Sequence, residues 1–353
     1  MKINGEMLAL AREYRGISQQ ELCDKVGVSQ SQIAKIEGGL RPDIDDELLL
    51  KLSVELGFPA DFFSQNEQVL GFGSSAFFYR KQAALTASER KKIHSLVNLL
   101  RIAIRQYIKH VDIVPSLQLP LFDIEDYGGS AAHVAMAARV MWNLPDGPVR
   151  NVTSIIEKAG VIIIPCNFDT RRFDATSLRL ADMPPLIFIN ANLPGERWRY
   201  TLCHELGHLV MHTVPHERME EEADQFAAEF LTPAQEIKPQ LIGMKAWRLS
   251  ELVRLKSYWK VSFGMLVMQG KILGLLSKEQ VADFYRRNPI RGVEPHPIER
   301  EAPTNLHKIA STICDRLQFG VQGMADLTKW PSELTQLVLP AVNAESYRLR
   351  LVQ

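Results

Sequence analysis

Residues 199–208 read Arg199-Tyr-Thr-Leu-Cys-His204-Glu-Leu-Gly-His208, and the reading of the central part of the chain turns on them. On an α-helix His204 and His208 stand one turn apart and only ~40° round the axis, so both imidazoles address one point. Two neutral ring nitrogens converging in this way chelate a divalent cation. Glu205 lies ~100° from His204, at the edge of the same face, where its carboxylate can take a proton from a water that the cation polarises. Leu202, Leu206, Leu209 and Val210 give the segment an apolar back, as a helix resting on a core requires. Upstream, Pro185-Leu-Ile-Phe-Ile-Asn190 has the composition of a strand, and Pro194-Gly195 joins it to the helix.

Two histidines leave such an ion short of ligands. The metzincin spacing would place a third histidine ten residues after His204, but Val214 stands there. His212 lies a further turn along the axis, away from the point the first two share. The acidic run Glu220-Glu-Glu-Ala-Asp224 offers better candidates. Glu220 is the expected ligand and Glu222 the second choice, with Asp224, one turn beyond Glu220, accepting an imidazole N–H. Acidic residues also suit a helix start because of the macrodipole, and the two readings are compatible. Ala223, Phe226, Ala227 and Phe230 form an apolar stripe that the histidine-bearing helix is expected to cover.

At 353 residues the chain exceeds what one core usually organises, and 46 % hydrophobic against 23 % charged residues is the composition of a folded globular protein. Lys plus Arg and Asp plus Glu balance at 41 each, which excludes a global field for nucleic acid or acidic partners. The four cysteines are scattered, with no CxxC pair, so free thiols in a reducing compartment are expected. Met1-Lys-Ile-Asn-Gly-Glu6 lacks the apolar core of a signal peptide, and no stretch approaches the ~18 to 20 apolar residues of a membrane span. We therefore expect a cytoplasmic protein with no membrane association.

The first 66 residues read as five short helices. Ser18 with Glu21 makes a capping box, opening a helix with Leu22 and Val26 that Gly27 stops; Ser29 with Gln32 repeats the device for a helix carrying Ile33 and Ile36. Inward Ile33 and Ile36 turn Ser31 and Lys35 outward, with Gln30 and Gln32 on the flanks, a placement suited to base edges in a major groove. Gln19, Lys35 and Arg41 suit phosphate contacts. Lys2, Arg12, Arg15, Lys25, Lys35 and Arg41 barely outnumber Glu6, Glu13, Glu21, Asp24 and Glu37, so a homodimer that doubles the contacts would help. Leu8 to Leu56, notably Ile17-Ser-Gln-Gln-Glu-Leu22 and Gly27-Val-Ser-Gln-Ser-Gln-Ile-Ala-Lys-Ile-Glu37, resembles the XRE or Cro/C1-type helix-turn-helix domain, which implies double-stranded DNA as a partner.

Between the halves, Gly71-Phe-Gly-Ser-Ser marks a linker, and residues 87–110 form an amphipathic helix on Ile93, Val97, Leu100, Ile104 and Ile108. Its Arg90, Lys91, Lys92, Arg101, Arg105 and Lys109 predict a solvated basic face. The stretch from Arg199 to His208 with Glu220-x-x-Ala-Asp-x-Phe-Ala-x-x-Phe-Leu-Thr-Pro233 resembles the ImmA/IrrE family of metallopeptidases, a likeness that extends over about 131–285 and includes Trp259-Lys-Val-Ser262 and Leu273-Gly-Leu-Leu276. By that resemblance Glu205 is the general base, His204 and His208 hold one zinc ion per chain, and the substrate is a regulatory protein of the helix-turn-helix repressor or antitoxin type. Cleavage would then switch stress-response, mobile-element or toxin-antitoxin genes. A regulator whose peptidase-like domain only senses or dimerises is the alternative. Tyr200, His212 or His216 could donate to an oxyanion, and the 186–190 strand could take up an extended segment by strand addition.

The expected fold class is α+β and mostly helical. An all-α helix-turn-helix domain (1–66) leads through a linker with a long basic helix (67–128) to a zincin-like peptidase domain with a small β-sheet (129–285). A helical C-terminal segment (286–353) of unassigned role follows.

Overall fold

The computed structural model describes residues 1–71, 85–244, 246–289, 294–318 and 320–338. Four helices open the chain, α1 (Gly5–Tyr14), α2 (Gln19–Val26), α3 (Gln30–Glu37) and α4 (Asp46–Leu56), followed by a 3-10 turn at Ala60–Ser64. Local chemistry sets their ends. Asn4, Ser18, Ser29 and Asp45 each accept a backbone N–H of the first turn, and at Ser18 the Glu21 carboxylate returns the bond. Gly27 ends α2 at φ 74°, a left-handed conformation that a side chain would strain. Leu22, Val26, Ile33 and Ile36 are buried, as their spacing requires. Of the expected Gly71–Ser75 linker, only Gly71 lies within the described residues.

α5 (Ala87–Ile108) departs from the sequence expectation. Every residue from Ile93 to Ile104 is buried, Arg101 included, whose Nη2 donates to the Gln68 carbonyl. The basic face is not simply solvated, because its cations meet carboxylates on both sides: Lys91 lies 3.4 Å from Glu13, Arg105 3.5 Å from Glu67 and also on Asp182, and Lys92 2.7 Å from Asp169. The helix is a strut between the N-terminal bundle and the sheet, not part of a spacer.

The sheet has the order β1-β3-β2, from β1 (Ile162–Cys166), β2 (Ala175–Leu180) and β3 (Met183–Asn190), with β1 parallel and β2 antiparallel to β3. Side chains alternate across it and so divide between two cores. Ile162, Ile164, Leu186 and Phe188 join a core with the N-terminal bundle, α5, α14 (Asn305–Leu317) and α15 (Val321–Thr328). Ile163, Ile187 and Ile189 join the other core, with α6 (Ala131–Met141), α7 (Val152–Lys158), α8 (Gly195–Met211) and α9 (Met219–Leu231). α10 (Ala234–Ile242), α11 (Leu249–Trp259), α12 (Phe263–Ile272) and α13 (Lys278–Arg287) complete that core. β3 is the middle strand, so its backbone is bonded on both sides and the strand addition expected at residues 186–190 has no edge to use. The outer strand beside α8 is β2.

The C-terminal segment is a strap rather than an appendage. Lys256, fully buried on α11, is held by Glu196 at 2.9 Å and Glu294 at 2.7 Å. Arg199 of α8 donates to Glu301, to Lys260 O at 3.0 Å and to Val149 O at 2.7 Å. Glu157 of α7 accepts the backbone N–H groups of Thr304 and Asn305 at 2.7 and 2.6 Å, fastening the start of α14. Gly195 is needed where the strap crosses: a Cβ there would stand 2.1 Å from Ile298 O. Among the described residues no helix is long and apolar enough to cross a membrane.

Replacing Arg199 by Met leaves Glu301 buried without its cation, which costs about 3–5 kcal/mol. Urea unfolding of Arg199→Met and wild type measures this difference; near-equal midpoints would show that the strap does not hold α8.

Candidate active site

α8 presents two faces. Trp198, Leu202, Leu206, Leu209 and Val210 are buried in the second core, while His204 and His208 turn toward α9. Gly207 decides how near α9 comes: a Cβ there would lie 3.2 Å from the Phe226 ring and 3.3 Å from Ala223. With no side chain at 207 the helices close together, and Glu220 in the first turn of α9 reaches both imidazoles. Its Oε2 lies 3.6 Å from His204 Nε2 and its Oε1 3.5 Å from His208 Nε2, while the two Nε2 atoms are 3.1 Å apart.

These three separations match the ligand-to-ligand edge of a tetrahedral zinc site, about 3.3 Å for bonds near 2.0–2.1 Å. Two imidazoles and one carboxylate are also the donor set that leaves a coordination position open for chemistry. The residues therefore fit a zinc ion. Beside them Glu205 is buried, and its Oε2 has no hydrogen-bond partner. A carboxylate oxygen stripped of water and left unpaired is costly unless it has a task.

The surroundings fix the rings. Asp224 Oδ1 accepts from His204 Nδ1 at 2.8 Å and from the Tyr200 hydroxyl at 3.0 Å, so His204 keeps Nε2 inward. Burial alone would lower the His204 pKa, but hydrogen bonds to Asp224 and Glu220 and the charge of Glu205 prevail and raise it to about 9. Burial would raise Glu220, yet its hydrogen bonds with His204 and His208 hold it well below the usual carboxylate range. Both shifts express one property: the cluster attracts positive charge, and a divalent ion competes with a proton for the ring. Burial, reinforced by Asp224, pushes the Tyr200 phenol up, so it remains a donor to that carboxylate and is not aimed at a substrate oxygen.

The other residues singled out in the sequence fall differently. Glu222, the second choice for the third ligand, does not reach His204 or His208 in a ligand cluster; its Oε2 lies 3.1 Å from His212 Nε2 and 3.5 Å from His216 Nε2. His212 caps α8 and meets His208 through its Nδ1, 2.9 Å from His208 Nδ1. Burial, with repulsion from His208 and His216, pushes His212 down to about 3, so its ring is neutral. Sequence reasoning took the first pair of histidines and missed the ladder. The signal was present as His204, His208, His212 and His216, each four residues from the last.

In the N-terminal bundle Gln30, Ser31, Lys35 and Arg41 are exposed and Gln32 half-buried. Gln19 differs from expectation in part, since its Nε2 donates to Glu37 Oε2 at 2.6 Å, and Glu37 is itself gripped by Arg12 at 2.6 and 2.9 Å.

A family model described as IrrE N-terminal-like domain matches residues 156–269, which include both helices of the cluster, and one described as helix-turn-helix matches residues 8–63. Neither the curated proteins nor the solved structures compared with the chain gave a match. The chain thus carries an XRE-type helix-turn-helix domain followed by an IrrE/ImmA-like peptidase-family domain, the build of a DNA-binding regulator with a peptidase-family domain.

Proposed function

We propose that the protein is a zinc-dependent endopeptidase that cleaves a regulatory protein of the repressor or antitoxin type and binds DNA near the genes it controls. The observation that carries this reading is the buried, unpaired Glu205 Oε2 beside a His204, His208 and Glu220 cluster of tetrahedral spacing. Zinc, when bound there, supplies Lewis acidity toward a substrate carbonyl and makes water acidic. Glu205 then accepts the proton of the attacking water and later passes it to the leaving amine. Asp224 and Tyr200 keep His204 in the orientation that this requires. An extended segment adds to the outer strand β2, which packs beside α8.

Glu205→Gln keeps the size and removes the base. Co-expression of wild type and Glu205→Gln with the products of neighbouring genes, read by mass spectrometry, should give a cleavage that falls about 10²- to 10⁴-fold in the variant. Zinc held by His204, His208 and Glu220 should be retained equally in both. Equal cleavage would remove Glu205 from the chemistry, and regulation unchanged in the variant would favour a sensor that does not cut.

For DNA, Lys35→Ala and Arg41→Ala should weaken binding to all sequences alike and each lower the salt slope by about 1. Gln30→Ala and Gln32→Ala should instead cost about 1–3 kcal/mol on the preferred operator and little on other DNA. Fluorescence anisotropy with upstream fragments at several salt concentrations separates the two classes; a uniform response of all four would show that α3 does not read bases.

A further inference from the structure

Past the cluster at Glu205, the histidine ladder continues into a second one. His212 stands at the C-terminal end of α8, His216 in the turn that follows, and Glu222 in the first turn of α9. Glu222 is 4 % exposed and its Oε2 sits between the two rings, 3.1 Å from His212 Nε2 and 3.5 Å from His216 Nε2. Ring centroids of His212 and His216 are 5.2 Å apart at 78°, so the rings converge without stacking. Spacings near 3.3 Å are again those of tetrahedral ligands. The His216 side chain is 45 % exposed, which leaves a route from solvent and room for a water ligand. The guanidinium of Arg218 approaches Glu222 Oε1 only to 3.8 Å from a largely exposed side chain, so it can yield to an ion.

We propose that His212, His216 and Glu222 form a second metal site, selective for a borderline divalent ion of the zinc class, whose occupancy opposes that of the first. The opposition follows from hydrogen-bond inventory. A neutral imidazole carries one N–H, and between His208 Nδ1 and His212 Nδ1, 2.9 Å apart, one ring donates and the other accepts. When His208 offers Nε2 to an ion its hydrogen is on Nδ1, so His212 accepts there and carries its own hydrogen on Nε2, aimed at Glu222. An ion on His212 Nε2 reverses this: the His212 hydrogen moves to Nδ1, and His208 must hold one on Nε2, inside the first cluster. Both arrangements contain the same number of protons. Filling both sites at once sets two N–H groups against each other, so each ion weakens the other, by about tenfold if the coupling is of ordinary size.

The test uses the full chain, freed of metal by a chelator and titrated with Zn2+ and with Co2+ as a coloured probe, bound ion being counted by elemental analysis after equilibrium dialysis. Wild type should bind a first ion tightly and a second about tenfold more weakly than the same site binds alone. His216→Ala should keep the first step and lose the second. His204→Ala should still bind one ion, more tightly than the second step of wild type, and His204→Ala with His216→Ala none. Circular dichroism of the metal-free variants separates loss of a ligand from loss of fold, and Glu222→Gln supplies an independent break of the second site if His216→Ala misfolds. A wild type that binds a single ion at all concentrations, with His204→Ala binding none, would overturn the second site and leave the proposed peptidase reading intact. Two ions bound with affinities that His204→Ala leaves unchanged would overturn the opposition.

Discussion

The reach of Glu220 from α9 to two imidazoles on α8 is the constraint on which the site depends. A buried carboxylate between buried rings is stable only if its lost hydration is replaced by directed polar contacts. Those contacts require helix axes closer than ordinary side chains allow. Gly207 removes the obstacle on α8, and Ala223 with the edge of Phe226 forms the matching surface on α9. Phe226 and Phe230, stacked at 5.6 Å, then lock α9 into the second core. The approach of the carboxylate to the imidazoles thus depends on packing in the same turns that carry them.

The same economy governs the sheet. A small sheet needs a covered apolar face to be stable, and both faces of this one are covered. Its alternation assigns Ile162, Ile164, Leu186 and Phe188 to the side of the DNA-binding bundle and Ile163, Ile187 and Ile189 to the side of the histidine helix. A strand cannot shift along its neighbour without exchanging these faces, so the register that seats α8 also seats α5. Ion pairs from α5 to Glu13, Glu67, Asp169 and Asp182 tie the bundle and the sheet loops to one helix.

What the sequence made legible was local. Caps at Ser18 and Ser29 and the stop at Gly27 are decided within a few residues, and the helices they bound were readable. That Glu220 lies beside the two imidazoles was readable because an acidic first turn followed by an apolar stripe brings that turn against the helix on which the stripe packs. β2 was not, since Ala175-Thr-Ser-Leu-Arg-Leu180 breaks its alternation, and the ladder to β3 shifts register between Leu178 and Leu180. Arg101 finds the Gln68 carbonyl, and Lys91 and Arg105 find the carboxylates of Glu13 and Glu67, dozens of residues away, which no window of sequence brings together. Nor does a proline-rich stretch announce that Glu294 and Glu301 will answer Lys256 and Arg199.

That strap bears on how the two halves work together. Glu196 and Arg199 lie in the first two turns of α8, on the helix that also carries His204, and both are fixed by residues beyond Pro289. The chain then continues from Thr304 into α14, whose Leu306, Ile309 and Ile313 enter the core shared with the DNA-binding bundle. One path, joined to the histidine helix by the polar contacts of Glu196 and Arg199 and covalent from the strap into α14, therefore runs to the core of the helix-turn-helix bundle, reinforced by Arg15 on Glu333 at 2.8 Å and Lys329 on Asp61 at 3.0 Å. Surface pairs of this kind contribute little energy singly, but they fix orientation where a buried core already supplies the stability. A displacement of the bundle must either stretch this path or break the apolar contacts of α5, α14 and α15. Because packed interfaces yield between discrete arrangements rather than continuously, binding at one end can be felt at the other only as a switch of that whole interface.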